Sequence, residues 1–197
     1  LPKNRKHLES HELESLKNIQ ANDVSSKKDM SILIFKFIFY TGGINFIDLA
    51  LLTPKNFQGD FLTYKRRKTQ KEINYQLHDE AIKILNLFID SSKSDKDYLF
   101  PFLSNEKHMT ENQIENRVRR CLKEINKNLK LWQKELDIPI TLTTYVARHS
   151  FASNLAHKNF NPLEIKQIFN HSSISVTEEY IGRFKKDEPS INANKYM

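Results

Sequence analysis

The sequence predicts a mainly α protein with a small antiparallel β-hairpin or sheet on one edge, an α+β class. Three observations carry this. Glycine (4) and proline (6) are scarce among 197 residues, which suits long helices and disfavours a β-sandwich. Most apolar residues recur at helical spacing. Only one region, between about residues 60 and 77, switches to period-two alternation.

Each element has a local signal. Ser10 is placed to cap a first helix, with Glu12 and Glu14 in the turn where the helix dipole favours acid, and Leu13, Leu16 and Ile19 as its apolar stripe. A second helix, about 26–40, carries Ile32, Leu33, Ile34, Phe35, Phe37, Ile38 and Phe39. It is apolar nearly all round and should be central, with Gly42 and Gly43 ending it. A short helix, about 45–52, stops before Pro54. Residues 60–66 and 72–77 read as strands around a basic turn, with Ile73, Tyr75 and Leu77 on one face. Helix returns at 80–89, and a polar loop comes after it. Thr110 and Gln113 then form a capping-box pattern before a long helix reaching about residue 136. Further helices are expected at about 144–157, from Asn161 with Pro162 at its first position, and from Ser175 with Glu178 completing a second capping box.

Composition bounds the function. With 39% hydrophobic residues the chain can bury one substantial core. Its formal charge of +7 and pI near 9.3 favour an anionic partner, nucleic acid before a membrane surface. Lys-rich faces that merely keep a helical protein soluble explain the charge equally well. The single cysteine, Cys121, excludes an intramolecular disulfide framework and reads as a buried thiol. The most apolar stretch, 32–40, is too short to span a bilayer and contains Lys36. No signal peptide is evident, so a cytoplasmic location with no membrane partner is the expectation. The chain opens with Leu1-Pro2-Lys3 rather than Met and is expected to be a fragment of something longer.

The chemistry concentrates near the end of the chain. Arg148, His171 and Tyr180 are spaced as a phosphodiester-attacking set would be, and a distant basic turn, Lys65-Arg66-Arg67-Lys68, adds charge. A phosphodiester anion repels nucleophiles. Its catalyst must neutralise the nonbridging oxygens, supply an oxygen nucleophile and protonate the departing sugar oxygen. The planar fork of Arg148 suits the first task, with His171 completing the clamp. The Tyr180 phenol, ordinarily with a pKa near ~10, must be activated by its surroundings to attack. Lysine donates a proton more readily where neighbouring cations favour its neutral form, and Arg66 and Arg67 flank Lys68. This scheme requires neither metal nor cofactor, in keeping with the lack of a carboxylate cluster in the sequence. Each residue also has a plainer reading: Arg148 as a core arginine paired with Asp48, His171 as a helix cap, Tyr180 as a core tyrosine, Lys68 as a solvated turn lysine. His149 reads as structural. Asp48 reads as an orienting partner for Arg148 or for backbone. Lys65 and Lys71 suit backbone phosphates. Of the cations on the long helix most are solvated surface, with Arg119 and Arg120 the candidates for DNA contact.

Taken together these residues resemble the catalytic domain of the tyrosine recombinases, the phage-type integrases. Tyr145-x-x-Arg148-His149, then Phe169-Asn170-His171, then Tyr180 nine residues later are similar to the family's C-terminal signature. Ser150-Phe151-Ala152-Ser153-Asn154-Leu155 resembles the stretch after its arginine. Thr41-Gly42-Gly43 through Asp48-Leu49 looks like its first box, and Lys68-Thr69 like its hairpin lysine. There are two departures. Asn45 stands where the family's first arginine is expected, and Tyr145 where a histidine is expected. Arg66 or Arg67 is the expected stand-in for the missing arginine.

The resemblance implies the recombinase catalytic-domain fold, with a linker at 1–9, a catalytic domain at 10–184 and a tail at 185–197 that packs on a neighbouring protomer. It implies an N-terminal core-binding domain absent from this fragment. It further implies site-specific recombination of double-stranded DNA through a 3′-phosphotyrosyl intermediate, within a synaptic tetramer. The catalytic set is Tyr180, Arg148, His171, Lys68, Tyr145 and Asn45. Mobile-element integration or excision is the expected setting. A DNA-binding relative that has lost catalysis and a type IB topoisomerase-like enzyme are the alternatives. A helical RNA-binding protein is weaker, because it leaves the Arg148–His171–Tyr180 spacing to chance.

Overall fold

The computed structural model describes residues 5–90 and 94–157. The chain divides into two units, 1–151 and 152–197. The first unit contains α1 (Ser10–Lys17), α2 (Lys27–Tyr40), α3 (Phe46–Ala50), a 3-10 turn (Pro54–Asn56), β1 (Phe57–Gln58), β2 (Phe61–Lys65), β3 (Glu72–Gln76), α4 (Asp79–Asn86) and α5 (Glu111–Glu135). Its last element is α6 (Thr144–His157), which begins in this unit and runs past its boundary. The architecture is mostly helical with a three-stranded antiparallel sheet in the order β1-β2-β3. The expected class is therefore found. The sheet has one strand more than the hairpin alone, because the two residues of β1 are too few to show an alternation.

The apolar helix is central, as its pattern requires. Ile32, Ile34, Phe35, Phe37 and Ile38 of α2 are fully buried. It packs against α4 and α5. From α5 come Val118, Cys121, Ile125 and Leu129, one stripe at helical spacing. Burial pushes the Cys121 thiol up, so it stays protonated and inert. Between the helices Phe100 meets Phe37 edge-on at 5.3 Å and Phe88 at 4.8 Å. Each such side chain contributes about 1.5–3 kcal/mol by leaving water. Trp132 of α5 donates its indole N–H to the Lys28 carbonyl at 3.0 Å, and the Lys28 ammonium lies 4.1 Å from the ring centroid.

Two local features differ from the sequence reading. Glu9, not Ser10, caps α1: its backbone N–H donates to Glu12 Oε2 at 2.8 Å. The segment just before this cap, read as linker, is docked on the unit. Arg5 is ion-paired with Glu12 at 2.5 Å, Leu8 is buried, and the Leu8 N–H donates to Ser150 Oγ at 2.9 Å. The α2 terminus matches its expectation. Gly42 and Gly43 both take positive φ (67° and 78°), and the Gly43 N–H returns to the Ile38 carbonyl at 2.8 Å. That turn aims the chain into α3.

Candidate active site

Four segments, distant in sequence, wall one groove of about 850 Å³. Asn45, Phe46 and Ile47 come from the start of α3, and Arg67 and Lys68 from the β2–β3 turn. Glu115, Val118, Arg119, Leu122 and Asn126 come from one face of α5, and Thr143, Thr144, Tyr145 and Arg148 from the start of α6. Among the described residues four cationic side chains face a single carboxylate there, so the groove is electropositive.

Local chemistry fixes each wall. The β2 alternation turns Leu62 and Tyr64 inward and Phe61 and Lys65 outward. Arg66 continues the inward face and is only 9% exposed. The turn closes through the Arg66 N–H to the Lys71 carbonyl and the Gln70 N–H to the Arg66 carbonyl, both 2.8 Å, with Gln70 at φ 57°. Arg67 and Lys68 are thereby delivered to the groove. Asp48, 4% exposed, accepts the Arg67 backbone N–H at 2.9 Å and the Asn45 amide at 3.5 Å. Of the two roles expected for Asp48, the backbone one is seen. On the opposite wall the Thr144 N–H donates to Asn126 Oδ1 at 2.9 Å, and Thr143 Oγ1 takes the Val146 N–H at 3.2 Å. These bonds seat the α6 N-terminus on α5.

Arg148 is half-buried, and its Nη1 donates to the Gly43 carbonyl. Tyr145 is 56% exposed at the groove and meets His149 edge-on at 4.0 Å. His149 itself is buried, in keeping with a structural role. Arg67 reaches Glu115 at 3.2 Å and Glu111 at 3.9 Å. Tyr64 lies behind this region. Burial and the Asp48 charge push its phenol up to about 12, against the opposing pull of Arg66 and Arg148. It therefore stays protonated near neutrality.

The groove thus gathers Arg148, Lys68, Tyr145 and Asn45 from the predicted catalytic set, and Arg67 and Arg119 from the predicted DNA-binding set. Lys65, Lys71 and Arg120 are exposed but do not line it, and the Arg120 Nε–H donates to the Asn116 carbonyl at 3.4 Å. Arg66 is buried and does not line it either. His171 and Tyr180, the helices expected from Asn161 and Ser175, and the tail lie outside the described residues. Sequence reasoning missed Glu115. Its signal was present in its place four residues before Arg119 on an amphipathic helix. Among the described residues no group of acidic, histidine or cysteine side chains is placed to hold a metal ion, and no helix is long and apolar enough to cross a membrane.

Comparison with known proteins agrees with this fold. Residues 6–186 match the Phage integrase family, and the chain belongs to that family. It is 24% identical over 190 residues to the tyrosine recombinase XerC of Leptospira interrogans, covering 94% of this chain and 56% of the relative. The chain thus spans little more than half the length of that curated relative. Among solved structures it resembles the XerA recombinase (TM-score 0.63, 20% identity, 93% of this chain and 64% of that one). It also resembles the Tn1549 transposon integrase in complex with transposon right end DNA (TM-score 0.62, 17% identity, 99% and 65%). The catalytic domain of bacteriophage HP1 integrase is similar over nearly its whole length (TM-score 0.52, 22% identity, 94% and 96%).

Proposed function

We propose that this chain is the catalytic part of a site-specific DNA recombinase. The observation that carries the reading is the convergence of Lys68 and Arg148, far apart in sequence, on one electropositive groove. In this reading Arg148 holds the nonbridging oxygens of the scissile phosphate, with His171 as its partner. The Tyr180 oxygen attacks phosphorus, forming a 3′-phosphotyrosyl bond as the bond to the 5′ oxygen breaks. The phenol releases one proton and Lys68 supplies one to the departing oxygen, so the step is proton-neutral. A 5′-hydroxyl from a partner strand then reverses the linkage, conserving the bond energy without a cofactor. Tyr145, exposed in the groove that Arg148 also lines, donates its hydroxyl to the same phosphate in this reading. Asn45 stands at the arginine's position and lines the groove, with its amide donated to Asp48. Arg119 contacts flanking backbone, and Lys65, Lys71 and Arg120 do so from outside the groove. The α6 N-terminus adds favourable potential for an anion.

Double-stranded DNA is the substrate, and four protomers on two sites form the working assembly. The preceding domain that closes around DNA belongs to the longer protein. Integration or excision of a mobile element is the setting, supported by likeness to a transposon integrase and a phage integrase. The test is a library of nicked duplexes, from which covalent adducts are recovered under denaturing conditions. Adduct from the wild type and none from Tyr180→Phe supports the enzyme.

A second reading is a DNA-binding relative without catalysis, favoured by Asn45 and Tyr145 at positions where the family carries arginine and histidine. It predicts retained duplex binding with no adduct at all. Topoisomerase-like chemistry would instead relax a plasmid whether or not it carried two sites.

A further inference from the structure

We propose that Arg67 is the second guanidinium of the phosphate site and that the Glu115 carboxylate stands in for phosphate until DNA arrives. The inference rests on the recombinase reading and names the group that fills the place left by Asn45.

Asn45 has no charge to offer, and its amide is directed at Asp48. Of the two turn arginines, Arg66 follows the inward face of β2 into the interior, whereas Arg67 lines the groove with Lys68 and Arg148. The Arg67 backbone is held on both sides: its N–H by Asp48 at 2.9 Å, its carbonyl by Gln70 Nε2 at 2.7 Å. A side chain that must meet a phosphate repeatedly in one geometry benefits from a fixed root.

Among the described residues Glu115 is the only carboxylate lining this groove. Its Oε1 lies 3.2 Å from Arg67 Nη2, and its Oε2 lies 4.0 Å from Arg119 Nη2. Two oxygens of one planar anion thus face two guanidinium groups, as two nonbridging oxygens of a phosphate would. Both partners are partly exposed, Arg67 at 26% and Glu115 at 45% of their side chains. Ion pairs of that kind are weak and exchange readily for another anion. Glu115 keeps two arginines from repelling each other in the free protein, then yields them to DNA.

The experiment has two arms. In the first, binding to a short fluorescein-labelled duplex of random sequence is measured across a salt series. Arg67→Ala should reduce the slope of log affinity against log salt by about one. Glu115→Gln should tighten binding roughly two- to fivefold, and less so in the Arg67→Ala background. In the second arm, adducts are captured from the nicked library. Arg67→Ala should lower adduct about 100-fold, and Arg67→Lys should restore only part of it, since an ammonium lacks the fork. An unchanged salt slope with adduct within about twofold of wild type would overturn the proposal, as would weaker binding in Glu115→Gln. Loss of adduct in a folded Arg66→Ala variant, with Arg67→Ala retaining it, would move the role to Arg66 and overturn it equally. Should the wild type form no Tyr180-dependent adduct, the recombinase reading fails separately. The salt slope then decides by itself whether Arg67 binds phosphate.

Discussion

The buried carboxylate of Asp48 on α3 accepts the backbone N–H of Arg67, and this single bond ties the basic turn to the helix that opens the groove. Asp48→Ala leaves that N–H without its acceptor and should cost about 1–3 kcal/mol. Asp48→Asn keeps an acceptor oxygen and should cost clearly less. Urea denaturation of both variants checks this. Equal, negligible losses would mean that the turn is held by its own hydrogen bonds alone.

Arg148 donates to the carbonyl of Gly43, a residue held at φ 78°. Arg148→Lys retains the charge but cannot hold both the carbonyl and a phosphate in a planar fork. We expect adduct to fall about 10²–10³-fold in Arg148→Ala, with little recovery in Arg148→Lys. Gly43→Ala should destabilise by about 1–2 kcal/mol, the cost of a Cβ in the left-handed region. Single-turnover adduct kinetics and thermal melts read the two effects separately.

Alkali should unfold the unit by a route that Tyr64 reports. Its phenol is raised to about 12 in the folded chain, against about 10 for a free tyrosine. Because the folded value is the higher, the stabilising contribution is complete below pH about 10 and is lost as pH climbs toward about 12. Tyr75, half-buried and raised well above its ordinary value by desolvation, adds in the same direction. Tyr64→Phe should flatten the fall in stability across this window. Phenolate absorbance against pH, beside denaturation midpoints, provides the measurement. Ordinary titration of every tyrosine near 10 would contradict the burial argument.

The docked segment before α1 should behave as part of the unit. Ser150→Ala removes the acceptor of the Leu8 N–H and should cost about 1 kcal/mol. Arg5, shielded by its pair with Glu12, should then become a faster tryptic site. Cleavage at Arg5 at the wild-type rate would show that the Ser150 bond does not hold the segment down.

Much of this was legible in the sequence because the signals were local or strongly periodic. The all-round apolarity of α2 announced its burial, and the Thr110–Gln113 capping box announced the start of α5. The alternation in 72–77 announced β3, found at Glu72–Gln76. Other features were not readable, for physical reasons. Two residues of β1 carry no period. The Glu9 cap competes with an equally suitable Ser10 beside it, and only the reach of Glu12 decides between them. Arg66 and Arg67 are indistinguishable as letters; the strand's alternation, continued one residue past its end, sends one inward and the other into the groove. Glu115 is one of four glutamates on a charged helix, and only the turn brought against it in space gives it a role.

The proposed function turns on covalent joining of the Tyr180 phenol to DNA. The most direct measurement is mass spectrometry of the peptides from wild-type protein trapped on nicked duplex and digested with protease and nuclease. A nucleotide-bearing peptide with the added mass on Tyr180, absent from Tyr180→Phe, is the expected result. A protein that binds the duplex yet yields no such peptide, or one whose added mass sits on another residue and survives Tyr180→Phe, would contradict it.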